Sequence, residues 1–236
     1  DYIDPMFHSR IIGAKSANLD LHFFSENTLR FLLAKNAAGS DVSVIEGAMG
    51  FYDGAGLTTW KTSAYELALV TKTPVVLVVN ARGAALSVLA VIEGFLRFRP
   101  ESGIRGVILN QCTAMTYASL SAAIEERFGI RCFGFLPRLD ECVLESRHLG
   151  LVTAGEIRDL REKMQTLAAQ AEKTLDIDAL LALAHEAEPL DYTPVVLPKK
   201  EKIRLAVARD NAFCFYYEDS LDAVREMGGE LVPFSP

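Results

Sequence analysis

The sequence predicts an α/β protein built around a parallel sheet. Short segments rich in β-branched residues alternate along the chain with longer segments of helical periodicity, which is the pattern of βαβ units. The short segments are apolar throughout, which indicates strands buried on both faces, as in parallel sheets. Half of the 236 residues are hydrophobic and 23% are charged, so the chain can bury a core, and this mixture excludes intrinsic disorder.

The expected elements follow in order. Apolar runs predict strands at 42–46 (VSVIE), 75–80 (VVLVVN), 105–110 (RGVILN), 132–136 (CFGFL) and 203–208 (IRLAVA). Periodic segments between them predict helices near 25–36, 62–72, 84–98 and 116–128. Apolar residues at helical spacing predict more helix within 155–186, with a short helix of about 178–186 capped by Asp176 or Asp178. A helix at about 218–227, ending at Gly228-Gly229, and a further strand complete the list.

Segment 191–202 (DYTPVVLPKKEK) separates two predicted domains. It has two prolines, a basic cluster and no clear period, which is typical of a linker. We therefore expect a first domain at 1–190 and the beginning of a second α/β domain at 203–236. The second piece is too short to build its own core, and Asp1 opens directly into a polar run, so we expect both ends to be incomplete.

Composition excludes several classes of function. The net charge is −7, from 24 Lys and Arg against 31 Asp and Glu, which disfavours a nucleic-acid partner. No apolar run approaches the ~20 residues of a membrane span, and no signal segment is visible, so we expect no membrane partner and a cytoplasmic location. The four cysteines form no C-x-x-C pair, which favours reduced, structural thiols.

The strongest local motif is VIEGAMGFYDG (44–54). A predicted buried strand ends in the carboxylate of Glu46, and a glycine-rich loop then leads to Asp53. In open α/β sheets, ligands bind beyond the carboxyl ends of the strands, and carboxylates there suit Mg²⁺. Glycines allow the backbone to pass close to a ligand. The alternative, which the residues leave open, is an exposed loop that needs glycines only in order to turn.

Other candidate residues carry weaker signals. Asp1 and Asp4 stand close together, although acidic residues at a chain start are usually only solvated. Asn110 ends an apolar strand and Pro137 immediately follows another. An amide at a strand end can read a nucleotide base or simply support a turn. His148, with Glu145 and Arg147 nearby, could act as a base or phosphate donor, but a lone histidine is more often surface or packing. The sequence has no catalytic triad pattern, zinc spacing or P-loop motif.

Taken together and in order, these motifs resemble the cobyrinic acid a,c-diamide synthase family. The segments are DYIDP (1–5), VIEGAMGFYDG, PVVLVVNARG (74–83), GVILNQ (106–111), FLPRLDE (135–141), SRHLGL (146–151) and 208–236. The resemblance implies a P-loop-NTPase-like parallel sheet flanked by helices, similar to dethiobiotin synthetase, followed by a class I glutaminase-like domain. It implies amidation of the a and c carboxylates of cobyrinic or hydrogenobyrinic acid with ATP, Mg²⁺ and ammonia derived from glutamine. A homodimer is a further expectation.

The resemblance also implies roles for individual residues. Glu46 would bind Mg²⁺ beside the ATP phosphates. Asp53 would help to bind the carboxylate substrate and to activate it. The same role is implied for the run formed by Asp1, Tyr2, Ile3 and Asp4. Asn110 and Pro137 would flank the adenine. Charge repulsion, rather than the resemblance, adds two more candidates: an acidic site that meets a polycarboxylate needs cations, and Arg82 and Arg147 could supply them.

Two departures from the family pattern matter. The family's P-loop would lie upstream of Asp1, and its glutaminase nucleophile would lie beyond Pro236, because Cys214 does not match that motif. The chain alone would therefore be an incomplete catalyst. A lesser departure is Asn80, which stands where many relatives have Asp.

Two alternatives stay open at this point. A nickel-sirohydrochlorin a,c-diamide synthase performs the same chemistry on another tetrapyrrole and shares most of these motifs. A non-catalytic nucleotide-binding regulator of the partition-ATPase type would explain Glu46, but it would explain neither DYIDP nor the start of a glutaminase-like domain.

Overall fold

The computed structural model describes residues 3–143, 160–210 and 212–236, except for the side chains of Ile3, Met6, Arg10 and Ile11. Its helices are α1 (Ile3–Phe7), α2 (Glu26–Ala37), α3 (Ala64–Thr71), α4 (Ser87–Phe98), α5 (Ala114–Phe128), α6 (Leu160–Thr174), α7 (Ile177–His185) and α8 (Glu218–Glu226). Its strands are β1 (Val75–Asn80), β2 (Ile104–Asn110), β3 (Arg131–Leu136), β4 (Ile203–Ala208) and β5 (Gly229–Phe234). One π-helical turn, His8–Ile12, and one 3₁₀ turn, Asp140–Cys142, add to these.

The first sheet is parallel, as predicted. Its strand order is β1-β2-β3, and Asn80 pairs in register with Asn110, which pairs with Leu136. The three carboxyl ends therefore lie along one edge of the sheet. The central strand β2 is the most buried, with Val107 and Leu109 fully excluded from solvent. In β1, an outer strand of this sheet, Val78 is 60% exposed. The prediction that the strands are buried on both faces is therefore correct for β2 and wrong for β1.

Side-chain caps set the beginnings of four of the described helices. Ser25, Ser63 and Thr113 accept hydrogen bonds from backbone N–H groups in the first turns of α2, α3 and α5. Asp176 caps α7 by accepting from the N–H of Ala179 at 3.0 Å, which decides between the two predicted caps. Each cap satisfies a donor that the first helical turn leaves unpaired.

The predicted strand at 42–46 is wrong. The segment belongs to neither sheet, and Val44 is 90% exposed. A strand is stable only within a hydrogen-bonded ladder, and β1 pairs with β2 alone among the described strands. The apolar composition of this segment predicted a strand, but the described structure has no neighbouring strand with which it could pair.

The described residues form two compact units. The first comprises 39–143 and 162–190, with β1, β2 and β3 and the helices that cover them. Its core is built from apolar residues of the sheet, α4 and α5: Leu77, Val79, Val88, Leu89, Ile92, Val107, Leu109, Leu120 and Ile124. None of the helices in the described ranges is long and apolar enough to cross a membrane.

The second unit comprises 3–38, 160–161 and 191–236. Here β4 and β5 form a two-stranded parallel sheet, and α8 connects them, as predicted for the start of an α/β domain. In the same unit, Lys35 of α2 forms a 2.7 Å ion pair with Glu226 of α8, which raises the pKa of the lysine. Segment 191–202 has no regular secondary structure. The domain boundaries at 190 and 203 stay predictions.

We expect Gly134→Ala to be strongly destabilising. Gly134 has φ +124°, and a Cβ there would overlap the Thr174 carbonyl oxygen and lie 2.7 Å from the Leu175 Cα. Backbone strain and overpacking together should lower the free energy of unfolding by about 3 kcal/mol or more. Urea denaturation measures this change. The matched control is Gly94→Ala on the exposed face of α4, where a Cβ meets nothing within 4 Å. That substitution should raise stability by about 0.5–1 kcal/mol, and equal effects at the two sites would contradict the expectation.

Candidate functional site

A cavity of about 420 Å³ lies at the carboxyl edge of the first sheet. The loops that follow all three strands contribute to its wall, as does α6. Its lining residues are Arg82, Asn110, Gln111, Leu136, Pro137, Arg138, Leu139, Cys142, Val143 and Leu167. This is the position at which open α/β sheets bind ligands. The structure therefore brings together Asn110, Pro137 and Arg82, three residues that the sequence had singled out.

Hydrogen bonds fix the loops around this cavity. The Asn110 side-chain oxygen accepts from the N–H of Gln111 at 2.9 Å, and Gln111 is held at φ +53°. In β1, the Asn80 side-chain oxygen accepts from the N–H of Arg82 at 3.0 Å. At neighbouring strand ends, the two asparagine side chains thus each accept from a backbone N–H of the loop that follows, two residues on for Asn80 and one residue on for Asn110. No hydrogen bond within the described residues uses the Asn110 NH₂ group, so it can donate to a ligand.

Two arginines give the cavity a cationic side. Arg138 pairs with Asp140 at 2.5 Å, and both side chains are mostly exposed. Arg82 forms no ion pair with any carboxylate of the described residues. The cavity therefore combines apolar walls from Leu136, Pro137 and Leu167 with an amide and a guanidinium. That combination suits a planar ring that carries an anionic group.

The loop from Gly50 to Gly54 carries Asp53 on its surface. The N–H of Asp53 donates to the Gly50 carbonyl at 2.9 Å, and the N–H of Gly54 donates to the Thr59 carbonyl at 3.0 Å. A Cβ at Gly50 would lie 2.8 Å from Cγ of Asp53, so glycine leaves room for the carboxyl group. Asp53 is exposed, and its carboxylate accepts no hydrogen bond from another described residue. The loop thus presents the carboxylate to solvent.

An aromatic cluster packs against this loop and includes two of its residues, Phe51 and Tyr52. It comprises Phe51, Tyr52, Trp60, Tyr65, Phe95 and Phe98, with ring centroids of neighbouring pairs 4.8–5.9 Å apart. Burial raises the pKa of the Tyr52 hydroxyl, with a smaller contribution from Tyr65. The hydroxyl is therefore protonated at neutral pH and acts as a donor. Sequence reasoning missed this cluster, although the FY pair directly before Asp53 was a visible signal.

Glu46 lies at the start of the same motif, on an exposed segment. A Cβ at the adjacent Gly47 would lie 3.2 Å from the Cβ of Ala64, which places the backbone there against the first turn of α3. Neither Glu46 nor Asp53 lines the cavity. Within the described residues, no group of three His, Cys, Asp or Glu side chains could hold a metal ion. Any Mg²⁺ at Glu46 would therefore need most of its ligands from water or phosphate.

Several predicted residues fall outside what the structure describes. Asp1, Tyr2 and the segment with Glu145, Arg147 and His148 are in the omitted ranges. Ile3 begins α1, but its side chain is not described. Asp4 lies in the first turn of α1 and is partly buried. Their predicted roles stay predictions.

The four cysteines are free thiols with different environments. Burial raises the pKa of the Cys112 thiol, and burial together with the nearby Glu125 carboxylate and Cys112 raises the pKa of Cys132 to about 12. Both thiols stay protonated at neutral pH, and they pack as small apolar groups. Cys142 is partly exposed at the cavity, where its thiol lies 3.5 Å from the Lys163 carbonyl.

Comparison with known proteins gives a consistent result. The whole chain is 41% identical over 239 residues to a protein of Caldanaerobacter subterraneus subsp. tengcongensis named cobyrinate a,c-diamide synthase. It is 39% identical over 240 residues to a protein of that name from Listeria monocytogenes, and 38% identical over 239 residues to one from Thermoplasma acidophilum. These alignments cover 100% of the chain and 52–53% of each relative.

The chain therefore spans about half the length of the curated relatives it matches. Neither a family model nor a solved structure matches it. The resemblance inferred from the ordered motifs is confirmed along the entire chain.

Proposed function

We propose that this chain is part of an enzyme that converts cobyrinate to its a,c-diamide, with ATP as the energy source and glutamine as the nitrogen donor. The observation that carries the proposal is the similarity of the whole chain, at 38–41% identity, to proteins named cobyrinate a,c-diamide synthase. A cavity at the carboxyl edge of a parallel sheet, in the usual place for a nucleotide, supports it.

The chemistry requires activation of a carboxylate. Ammonia does not displace oxide or hydroxide from a carboxylate, because both are poor leaving groups. We propose that a carboxylate oxygen attacks the γ-phosphorus of ATP, so that ADP leaves and an acyl phosphate forms. Ammonia then adds to the acyl carbon, loses a proton, and expels phosphate, which leaves the amide. For such transfers an enzyme contributes mainly positioning and neutralisation of charge.

We assign the adenine of ATP to the cavity at the sheet edge. The Asn110 NH₂ group can donate to a ring nitrogen, and Pro137 with Leu136 offers an apolar surface to the face of a purine. Arg82 is close enough to the same cavity to offset negative charge. The sequence resemblance implies the same position for the adenine.

We assign the carboxylate end of the reaction to the acidic residues. Glu46 would hold Mg²⁺, an ion that prefers oxygen ligands, binds through one or two carboxylates, and supplies charge neutralisation at phosphate when bound. An exposed single carboxylate fits this mode, whereas a site built wholly from protein ligands does not. Asp53 would orient the substrate carboxylate or accept a proton from the incoming amine. We propose that Asp1, Tyr2, Ile3 and Asp4 contact the same substrate.

Cys142 gives a direct test of the nucleotide assignment. In the complete protein that contains this chain, Mg-ATP should slow alkylation of Cys142 by about tenfold or more at concentrations well above Kd, because the nucleotide covers the cavity wall. Peptide mass spectrometry after timed iodoacetamide labelling measures this rate. Cys214 is also partly exposed but does not line the cavity, so its rate is the control. Unchanged labelling of Cys142 at saturating ATP would contradict the assignment.

The experiment that tests the proposed function compares two tetrapyrroles as substrates. The complete protein is incubated with ATP, Mg²⁺ and glutamine, and with either cobyrinate or nickel-sirohydrochlorin. We expect the diamide of cobyrinate as the favoured product by mass spectrometry, since the relatives carry that name. Faster amidation of nickel-sirohydrochlorin would favour the related enzyme, and ATP binding with no amidation of either would favour a regulator.

A further inference from the structure

The loop that carries Asp53 is held to the rest of its unit at three points. The N–H of Tyr65 in α3 donates to the Phe51 carbonyl at 2.9 Å, and the N–H of Gly54 donates to the Thr59 carbonyl at 3.0 Å. The third point is a side chain: the Tyr52 hydroxyl donates to the Phe95 carbonyl at 2.5 Å. Tyr52 and Gly54 are the two residues that flank Asp53, and the Tyr52 bond is the only one of the three that a side chain makes.

The Tyr52 bond satisfies a group that α4 leaves unpaired. The helix ends at Phe98, so the Phe95 carbonyl belongs to the last four, which have no partner within the helix. The Tyr52 ring also stacks on Phe95, with centroids 5.8 Å apart and 19° between planes, and meets Phe98 at 5.0 Å. The residue next to Asp53 is thus fixed in both position and direction by the end of α4.

We propose that Tyr52 is a positioning residue for Asp53, whose hydroxyl bond to the end of α4 sets where the Asp53 carboxylate meets the substrate. This inference rests on the proposed function, in which Asp53 acts at the substrate carboxylate. Asp53 itself is exposed, and its carboxylate accepts no hydrogen bond from another described residue. Its geometry must therefore come from the backbone. Backbone bonds of Asp53 to Gly50 and of Gly54 to Thr59 shape the loop, and the Tyr52 side chain ties it to the end of α4.

Tyr65 provides a matched control within the same aromatic cluster. Its hydroxyl donates to the Pro100 carbonyl at 2.9 Å, just beyond the same end of α4, and its ring meets Tyr52 at 5.2 Å. It lies on α3, however, and not on the loop that carries Asp53. Tyr52→Phe and Tyr65→Phe each remove one hydroxyl from one ring cluster, so the two variants differ mainly in their connection to Asp53.

The test measures steady-state amidation and thermal unfolding of both variants in the complete protein. We expect Tyr52→Phe to lower kcat by about threefold to tenfold, with KM for ATP unchanged, and to increase the released mono-amidated product. Tyr65→Phe should keep kcat within about twofold, while the two variants lose similar amounts of thermal stability. The double variant Tyr52→Phe/Asp53→Asn should be no slower than Asp53→Asn alone, because residues that act through one group are not additive.

The remaining outcomes overturn the inference in distinguishable ways. Equal losses of kcat in Tyr52→Phe and Tyr65→Phe would show a structural role only. Full kcat in Tyr52→Phe beside an impaired Asp53→Asn would refute the role of Tyr52 and leave the proposed function intact. A fully active Asp53→Asn would refute the role of Asp53 in the proposed function, and the role of Tyr52 with it.

Discussion

Asp53→Asn should lower kcat for amidation by about a hundredfold or more, with little change in the KM for ATP. The carboxylate lies on an exposed loop outside the cavity assigned to adenine, so its loss should affect the amidation step rather than nucleotide binding. Under the proposed function, the a and c carboxylates use one site in two poses, so a mono-amidated intermediate should also accumulate. Initial rates at several ATP concentrations, with mass analysis of the products, measure both effects.

Two other roles for Asp53 predict different results. A metal ligand would be rescued in part by raised Mg²⁺, with normal ratios of the products. A residue that only supports the turn would leave activity within a few-fold and lower thermal stability instead. Asp41→Asn, which removes another exposed carboxylate of the same unit, should leave activity unchanged and serves as the control.

Glu46→Gln should abolish measurable turnover and leave the fold intact. A neutral amide is a poor ligand for Mg²⁺, and loss of a metal that offsets phosphate charge costs several kcal/mol in the transition state, which corresponds to a fall of about a hundredfold or more. The side chain is exposed, so the free energy of unfolding should change by less than about 0.5 kcal/mol. Amidation assays across a Mg²⁺ titration, with urea denaturation, measure both quantities.

The control for Glu46→Gln is Glu126→Gln on the exposed surface of α5, which removes the same charge far along the chain from the motif. Its activity should equal that of the unmodified protein. Near-normal amidation by Glu46→Gln at saturating Mg²⁺ would show that Glu46 is not the ligand. A large loss of stability would instead point to a structural role.

Much of the first sheet was predictable from local composition. The runs VVLVVN and RGVILN predicted β1 and β2 to within one residue, because long β-branched segments between turns have few other stable conformations. The run VSVIE is also rich in β-branched residues but is not a strand, and Val44 is 90% exposed. The difference lies in the availability of a neighbouring strand, which no local pattern contains.

The candidate site likewise has one part that could be predicted from the sequence and another that could not. Asn110 and Pro137 could be predicted to share an edge, since each ends a strand of a parallel sheet. Cys142 and Leu167 could not be predicted to line the cavity, because their segments meet only in the folded chain. The role of Tyr52 depends on a helix-terminal carbonyl 43 residues away. Contacts of that kind become visible only once the end of α4 is placed beside the loop.

Transfer of an isotope tests most directly whether this chain belongs to an enzyme that activates a carboxylate with ATP. Cobyrinate labelled with heavy oxygen in its a and c carboxyl groups is converted by the complete protein, and the inorganic phosphate is analysed by mass spectrometry. An acyl phosphate leaves one carboxylate oxygen on phosphorus, so each amide formed should yield one phosphate that carries one heavy oxygen. Unlabelled phosphate beside a labelled diamide product would contradict the account.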